Sequence, residues 1–471
     1  MKMKLAGFAG LCLLGSCTEK VPPPPNILFI AVDDLRPELN CYGADQILSP
    51  NIDRLAGEGI IFTRAYCNIP VCGASRASIL TGKRPTRYRF LTYYTRADED
   101  APGIPTLPGY MKANNYYTIS NSKVFHHADD SPESWDEVWM PGGKGSWRDY
   151  ITPENLALDS LGLQFAPPFE RADVPDNAYK DGKTAEKAID DLKRLSSMDQ
   201  PFFLAVGFLK PHLPFNAPEK YWSMYDPGDI VLPENDQKPA GAPDIAMHNS
   251  GELRAYGLIP PEGPVSDEMA RKLIHGYYAC VSYTDAQVGK LLDALRDLGL
   301  EENTIVVLWG DHGWNLREHG LWCKHCNFET SLHAPLIFRV PGIQGGNINQ
   351  NITEFVDIYP TLCDLAGLKV PGHTEGESLK TRLLHPDIPE EDYAVCKWNN
   401  GATLVEGKYF YTEWSRQGSG TIARMLYDHE KDPGENINIS EDEEYIEVLV
   451  DLSQSLHEKW GEEYELDPVE K

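Results

Sequence analysis

Four stretches of the chain place ionisable side chains directly after an apolar run. Asp33 and Asp34 follow Asn26–Val32, and Lys123 and His126 follow residues 116–120. Lys210, Pro211 and His212 follow residues 201–208, and Asp311 and His312 follow residues 304–309. Adjacent carboxylates are hard-cation ligands or acid–base groups, whereas lysine and histidine hold anions and carry protons. A fifth stretch, residues 71–82, holds Cys72 and Arg76. From Ala74 it reads as a helix of small residues closed by Gly82. Cys72 then lies at a helix N-terminus, where free N–H groups and the dipole favour an anion. Arg76, Lys83, Arg84, Arg87 and Arg89 form a local concentration of cations, which reads either as an anionic-substrate site or as a solvated charged face. The Cys72-x3-Arg76 spacing is not the C-x5-R of cysteine phosphatases.

The elements that must position these groups alternate between β-rich apolar runs and amphipathic helical stretches. That order predicts a parallel sheet with helices on both faces. Asn26–Val32 is nearly continuous in apolar residues, as a strand buried on both faces is. Residues 269–298 have helical spacing and carry Asp285. Open α/β sheets bind ligands beyond the carboxyl ends of their strands. One ionisable group there is an ordinary cap or loop charge, but four coinciding points to an enzyme.

A chain of 471 residues with 41% hydrophobic and 24% charged residues is long and apolar enough for two or three packed domains. Its formal net charge of −28 repels nucleic acid and anionic headgroups, which excludes a general binder of either. Met1 to Lys4 followed by apolar residues 5–14 has the shape of a secretory signal, too short to span a membrane. Leu14-Gly15-Ser16-Cys17 resembles the bacterial lipoprotein cleavage box, and Pro22 to Pro25 read as an extended tether. The expectation is an exported bacterial lipoprotein, periplasmic or surface-facing, touching a membrane only through lipid on Cys17. Cys323-Lys324-His325-Cys326 reads as plain structural cysteines, half a zinc site or a redox pair.

Cys72-Gly73-Ala74-Ser75-Arg76 resembles the C-x-[PA]-S-R signature of type I sulfatases of the alkaline phosphatase superfamily. The likeness continues through residues 50–56 and 59–65, through residues 79–85, and through Gly310-Asp311-His312-Gly313 with Glu318-His319-Gly320. It extends over nearly all of residues 26–438. Ser122-Lys123-Val124-Phe125-His126, residues 203–215, residues 311–314 and Lys324 are most similar to the iduronate-2-sulfatases, a subgroup that includes bacterial enzymes acting on other sulfated glycans.

The resemblance implies a doubly wound, alkaline-phosphatase-like mixed sheet over residues 26–380. Before it come a signal peptide (1–16) and a lipidated tether (17–25). After it, residues 381–471 would form a smaller α+β domain with a short antiparallel sheet. Residues 403–411 and 423–427 are its expected β-rich runs and residues 443–460 its terminal helix. The implied activity is hydrolysis of a carbohydrate sulfate ester, foremost the 2-O-sulfate of a uronic acid in heparin/heparan or chondroitin/dermatan fragments. A carrageenan-type substrate, or phosphodiester or phosphonate hydrolysis, are the alternatives. Cys72 would be oxidised to formylglycine by a maturation enzyme. Asp33, Asp34, Asp311 and His312, with position 72, would hold Ca2+ or Mg2+. Arg76 and Lys123 would stabilise the nucleophile and Asp311 would take its proton. Lys123, His212 and Lys324 would clamp the sulfate. His212 would protonate the leaving oxygen, and His126 would assist sulfate release.

Overall fold

The computed structural model describes residues 23–142, 147–162, 165–390, 392–416 and 420–460. Every side chain of Asn26–Val32 is buried, and their alternation divides them between two cores. Ile27, Phe29 and Ala31 enter one core, and Leu28, Ile30 and Val32 the other. The strand is therefore central and apolar on both faces. It pairs in parallel with Phe202–Phe208 on one side and Thr304–Gly310 on the other. These are the middle strands of an eight-stranded sheet, in which Tyr117–Ser122 adds a further parallel neighbour. Leu336–Arg339 runs antiparallel to Thr304–Gly310, so the sheet is mixed.

The register brings the chemistry together. Val32 lies opposite both Phe208 and Gly310, and Ser122 lies opposite Gly207. Four strands thus end at one level, and the residues that follow them emerge side by side. Helices Cys72–Thr81 and Ile358–Leu365 pack on one face; Pro50–Glu58, Lys180–Leu195 and Asp267–Asp297 pack on the other. Asp285, on the long helix, accepts hydrogen bonds from the backbone N–H groups of Asn51 and Ile52 and caps the Pro50–Glu58 helix. It has no part in the site.

The C-terminal part is a separate antiparallel sheet of four strands, Tyr393–Trp398, Gly401–Glu406, Tyr409–Arg416 and Gly420–Asp428. Residues 403–411 are two strands and not one run: Glu406 pairs with Tyr409 across Gly407 and Lys408, and Gly407 has φ 57°. Val395, Leu404, Tyr411 and Leu426 pack under the Ile446–Trp460 helix through Leu449, Leu452 and Leu456. The opposite face, with Phe410, Trp414 and Tyr427, joins the core of the large sheet. Cys323 and Cys326 are free thiols, and Cys326 shares a 3.0 Å hydrogen bond with Ser331, the arrangement of structural cysteines. Among the described residues, no helix is long and apolar enough to cross a membrane.

A buried polar clasp fastens the small sheet to the large one. Glu435 accepts from the Glu329 backbone N–H at 3.0 Å and lies 3.4 Å from His429 Nε2 and 3.7 Å from His319 Nε2. Burial disfavours the charged imidazole of His429, yet Glu435 and Glu329 raise its pKa above the ordinary value, against the pull of Arg64. A raised histidine contributes stability that is complete below about pH 6.5 and is lost as pH rises through the folded value. We expect His429→Ala to cost about 1 kcal/mol at pH 6 and less at pH 9, measured as thermal denaturation of both proteins across that range. A cost independent of pH would show that the imidazole acts there only as packing.

Candidate active site

The helix carrying Cys72 begins at Cys72 itself, two residues before the start read from sequence. Val71 is extended and contributes no side-chain cap, so the first N–H groups of the helix are left to the site. Gly82, with φ 65°, closes the helix. Gly73 has a different reason: a Cβ there would come within 2.5 Å of the Tyr93 carbonyl oxygen. All ten residues of this helix are buried.

Cys72 Sγ lies 3.3 Å from His312 Nε2 and 3.8 Å from Asp34 Oδ1. Asp33, Asp34 and Asp311 are fully buried, and an oxygen of each lies within 4.8 Å of the others. Asp34 adopts the left-handed conformation (φ 59°), which aspartate tolerates better than most residues. Asp311 Oδ1 accepts its N–H at 3.0 Å, and the Tyr277 hydroxyl donates to its carbonyl at 2.9 Å. His312 Nδ1 donates to the Gly313 carbonyl, 2.9 Å away, which aims Nε2 at Cys72 and Asp34.

Three cations answer these carboxylates. Arg76 is fully buried; its Nε bonds Asp311 Oδ2 at 2.9 Å and its terminal nitrogens bond Asp33 at 3.2 Å and the Val124 carbonyl at 3.1 Å. Its guanidinium lies 5.7 Å from the centre of the Trp309 ring. Lys123 pairs with Asp33, and Lys324 pairs with Asp34 at 3.0 Å. Burial opposes ionisation of Asp33, but Lys123, His212 and Arg76 hold its carboxyl well below the ordinary range. For Asp34 burial prevails over Lys324 and raises the carboxyl well above that range. Burial and Asp33 push the Cys72 thiol up, so position 72 carries a thiol and not a thiolate.

His212 is anchored through Nδ1 to the Leu213 carbonyl, with Nε2 3.8 Å from Asp34. Burial and Lys324 hold it well below the usual histidine range. His126 is pushed down to about 2 by burial and Lys123, and its Nδ1 is buried with no hydrogen-bond partner among the described residues. All ten site positions read from sequence therefore gather around one pocket: Asp33, Asp34, Cys72, Arg76, Lys123, His126, His212, Asp311, His312 and Lys324.

Other basic residues do not join them. Arg84 is spent on Glu354, and Lys83 and Arg89 pair with Glu375. Arg87 lies over the Tyr88 ring, 4.5 Å from its centre. Lys210 turns inward to the carbonyls of His212 and Pro214 and holds their loop. Sequence reasoning missed Glu252, on the short helix Gly251–Arg254. Its Oε1 accepts from Lys324 at 2.9 Å and lies 3.3 Å from His212 Nε2; its Oε2 is buried and unpartnered among the described residues. It also missed Trp314, whose ring centre lies 4.8 Å from the Lys324 ammonium, and Trp147, edge-on to His212 at 5.2 Å. Trp314 ends the 311–314 stretch that carries the resemblance, which implies no role for it, and no local pattern marks Glu252 or Trp147.

The Sulfatase family profile matches residues 25–368. Human iduronate 2-sulfatase is 36% identical over 417 residues, covering 78% of this chain and 76% of that protein. Among solved structures, an enzyme in complex with its substrate D-glucosamine-2-N,6-O-disulfate superposes with TM-score 0.75 at 22% identity, covering 93% of this chain and 98% of the other. A 2-O GAG sulfatase superposes with TM-score 0.70 at 25% identity, covering 92% and 91%.

The buried charges separate two kinds of substitution. Cys72→Ala removes a neutral group, and we expect it to abolish turnover with an almost unchanged melting temperature. Arg76→Ala leaves buried Asp311 without its cation and Asp33 with Lys123 alone, and should cost about 3–5 kcal/mol in addition to activity. Thermal melts of the two variants beside the parent check this, and a strongly destabilised Cys72→Ala would assign the thiol a packing role.

Proposed function

The chain belongs to the sulfatase family and is a sulfuric ester hydrolase; from that premise we propose that it removes the 2-O-sulfate of a uronic acid in glycosaminoglycan fragments. The observation that carries the reading is the single pocket in which Cys72, three buried carboxylates and the cations Arg76, Lys123 and Lys324 meet. The substrate class rests on the likeness to iduronate 2-sulfatase and to a 2-O GAG sulfatase.

The donor set fits a hard divalent cation. Asp33, Asp34 and Asp311 offer oxygens and His312 one imidazole, a combination suited to Ca2+ and also to Mg2+. The cation would supply positive charge against a sulfate oxygen. Oxidation of Cys72 by a maturation enzyme would supply a formylglycine, hydrated to the attacking hydroxyl. The remaining work falls to the chain's own groups. Arg76 keeps Asp33 and Asp311 fixed, and Asp311 accepts the proton of the nucleophile. Lys123 and Lys324, both with raised pKa despite burial, keep their charge and clamp the sulfate. His126, held neutral, accepts a proton during sulfate release. His212 donates to the leaving sugar oxygen through Nε2, 3.3 Å from Glu252; because burial and Lys324 keep the free imidazole neutral, this role requires it to take up a proton as the sulfate ester binds.

Sulfate release from a panel of sulfated disaccharides tests the substrate. Preference for a 2-O-sulfated uronate is expected; preference for a carrageenan-type sugar would move the enzyme to another glycan, and faster phosphate release from the matching phosphorylated disaccharides would overturn the reading. Mass spectrometry of active enzyme should show formylglycine at 72, and Asp311→Asn should lower bound metal by elemental analysis. His212→Ala should lose about 10²–10⁴-fold on a sulfated sugar and far less on an aryl sulfate, whose phenolate leaves without a proton. Equal losses would restrict His212 to sulfate binding.

The proposed lipid anchor falls on residues 1–22, outside the described residues. Its support is the cleavage-box pattern ending at Cys17 and the prolines after it. Wild type should partition into detergent and Cys17→Ser should not; equal recovery in water would remove the anchor from the account.

A further inference from the structure

Next to the pocket stand two aromatic side chains that the chemistry above does not use. Tyr93 and Tyr94 are 47% and 68% exposed, with ring centroids 4.1 Å apart and hydroxyls joined by a 2.6 Å hydrogen bond. Water meets most of this paired apolar surface, an arrangement that serves no packing purpose. Its place is fixed from beneath. The Tyr93 carbonyl presses on Gly73, beside Cys72, and is 3.1 Å from His127 Nε2. The Tyr93 ring centre lies 6.3 Å from that of His126. His126 in turn adjoins Lys123, whose charge lowers its pKa, and its buried Nδ1 has no partner among the described residues. The pair therefore continues the wall of the catalytic pocket outward, one ring beyond the group assigned to sulfate release.

We propose that Tyr93 and Tyr94 form a stacking platform for the pyranose ring adjoining the sulfated sugar, a subsite that makes this enzyme prefer an oligosaccharide to a monosaccharide sulfate. The inference rests on the glycan reading given above. Continuity with the pocket argues for sugar and against a protein partner: in this proposal the chain attached to a sulfate held by Lys123 and Lys324 leaves across this rim. The apolar face of a pyranose, its axial C–H groups, matches an aromatic face, and the phenol hydroxyls remain at the edge to bond sugar hydroxyls. Because the platform touches the ring beside the reacting one, it changes binding and not the chemical step, so its loss appears in KM.

The test compares wild type, Tyr94→Ala and Tyr94→Trp on a 2-O-sulfated uronate monosaccharide and on the trisaccharide bearing the same sulfate. Tyr94→Ala should lower kcat/KM on the trisaccharide about tenfold through KM, the scale of one lost aromatic stacking contact. On the monosaccharide the change should stay under about twofold, and Tyr94→Trp should restore the trisaccharide rate. Equal losses on both substrates, or none on either, would overturn the platform while leaving the glycan reading intact. Wild type that releases sulfate from neither sugar would instead overturn the 2-O-sulfated uronate reading, and the platform argued from it.

Discussion

Three buried carboxylates lie side by side, and almost every other feature of the large sheet follows from keeping them there. Asp33, Asp34 and Asp311 are each fully buried, and isolated carboxylates so placed would cost several kcal/mol apiece. Arg76, Lys123 and Lys324 offset that cost at 2.9–3.2 Å for the arginine and at 3.0 Å for Lys324, with Lys123 closing directly on Asp33. The pairs come from four distant parts of the chain, so the site exists only when the sheet, the Cys72–Thr81 helix and the loop at Lys324 are all in place. Shared register of the central strands brings Asp33 and Asp311 level; Trp309, buried in the core, also borders Arg76. Core and active site are one packing problem here.

The same arrangement explains why the pocket suits a reaction in which charge moves onto oxygen. Its cations are already oriented by hydrogen bonds to neighbours, so little reorganisation accompanies the change. Arg76 is gripped by two carboxylates and two carbonyls, Lys324 by Asp34, Glu252 and the Trp314 ring. Asp34 is the member least content with its surroundings: burial raises its carboxyl although Lys324 is adjacent. A divalent cation among these oxygens would reverse that balance, since it adds positive charge where the three further carboxylates of Asp33, Glu252 and Asp311 now add negative.

Much of this was legible in the sequence because apolar β-rich runs announce buried strands, and residues just beyond them stand where α/β sheets bind ligands. The motif around Cys72 added the helix start and its arginine. What remained hidden depended on partners far along the chain. Lys83, Arg84 and Arg89 look like an anion-binding cluster beside Cys72, yet Glu354 and Glu375, some 270–291 residues away, neutralise them. Lys210 shares a loop with His212 but points into carbonyls. Glu252 lies on a single helical turn between irregular segments, where neither periodicity nor spacing marks a functional residue. Residues 403–411 read as one β-run because Gly407-Lys408 is too short a turn to interrupt the composition, and only the pairing of Glu406 with Tyr409 divides it.

Glu252 also bears on which anion the pocket prefers. Asp33, Asp34, Asp311 and Glu252 are four acids facing three fixed cations, Arg76, Lys123 and Lys324. With the divalent cation proposed above, and with His212 neutral as burial and Lys324 hold it, a single positive charge is left over, and a sulfate monoester brings one negative charge. A phosphate monoester brings about 1.5 to 2 at neutral pH and would leave the buried pocket negative. Without Glu252 the surplus would be two, matched to the phosphate. Around carboxylates as buried as these such an imbalance is expensive, because little solvent is present to screen it. In the proposed mechanism the carboxylate that supports Lys324 and His212 would thereby set the charge as well as the geometry of the sulfate clamp, and discrimination between two tetrahedral anions of similar size would follow from this count of charges.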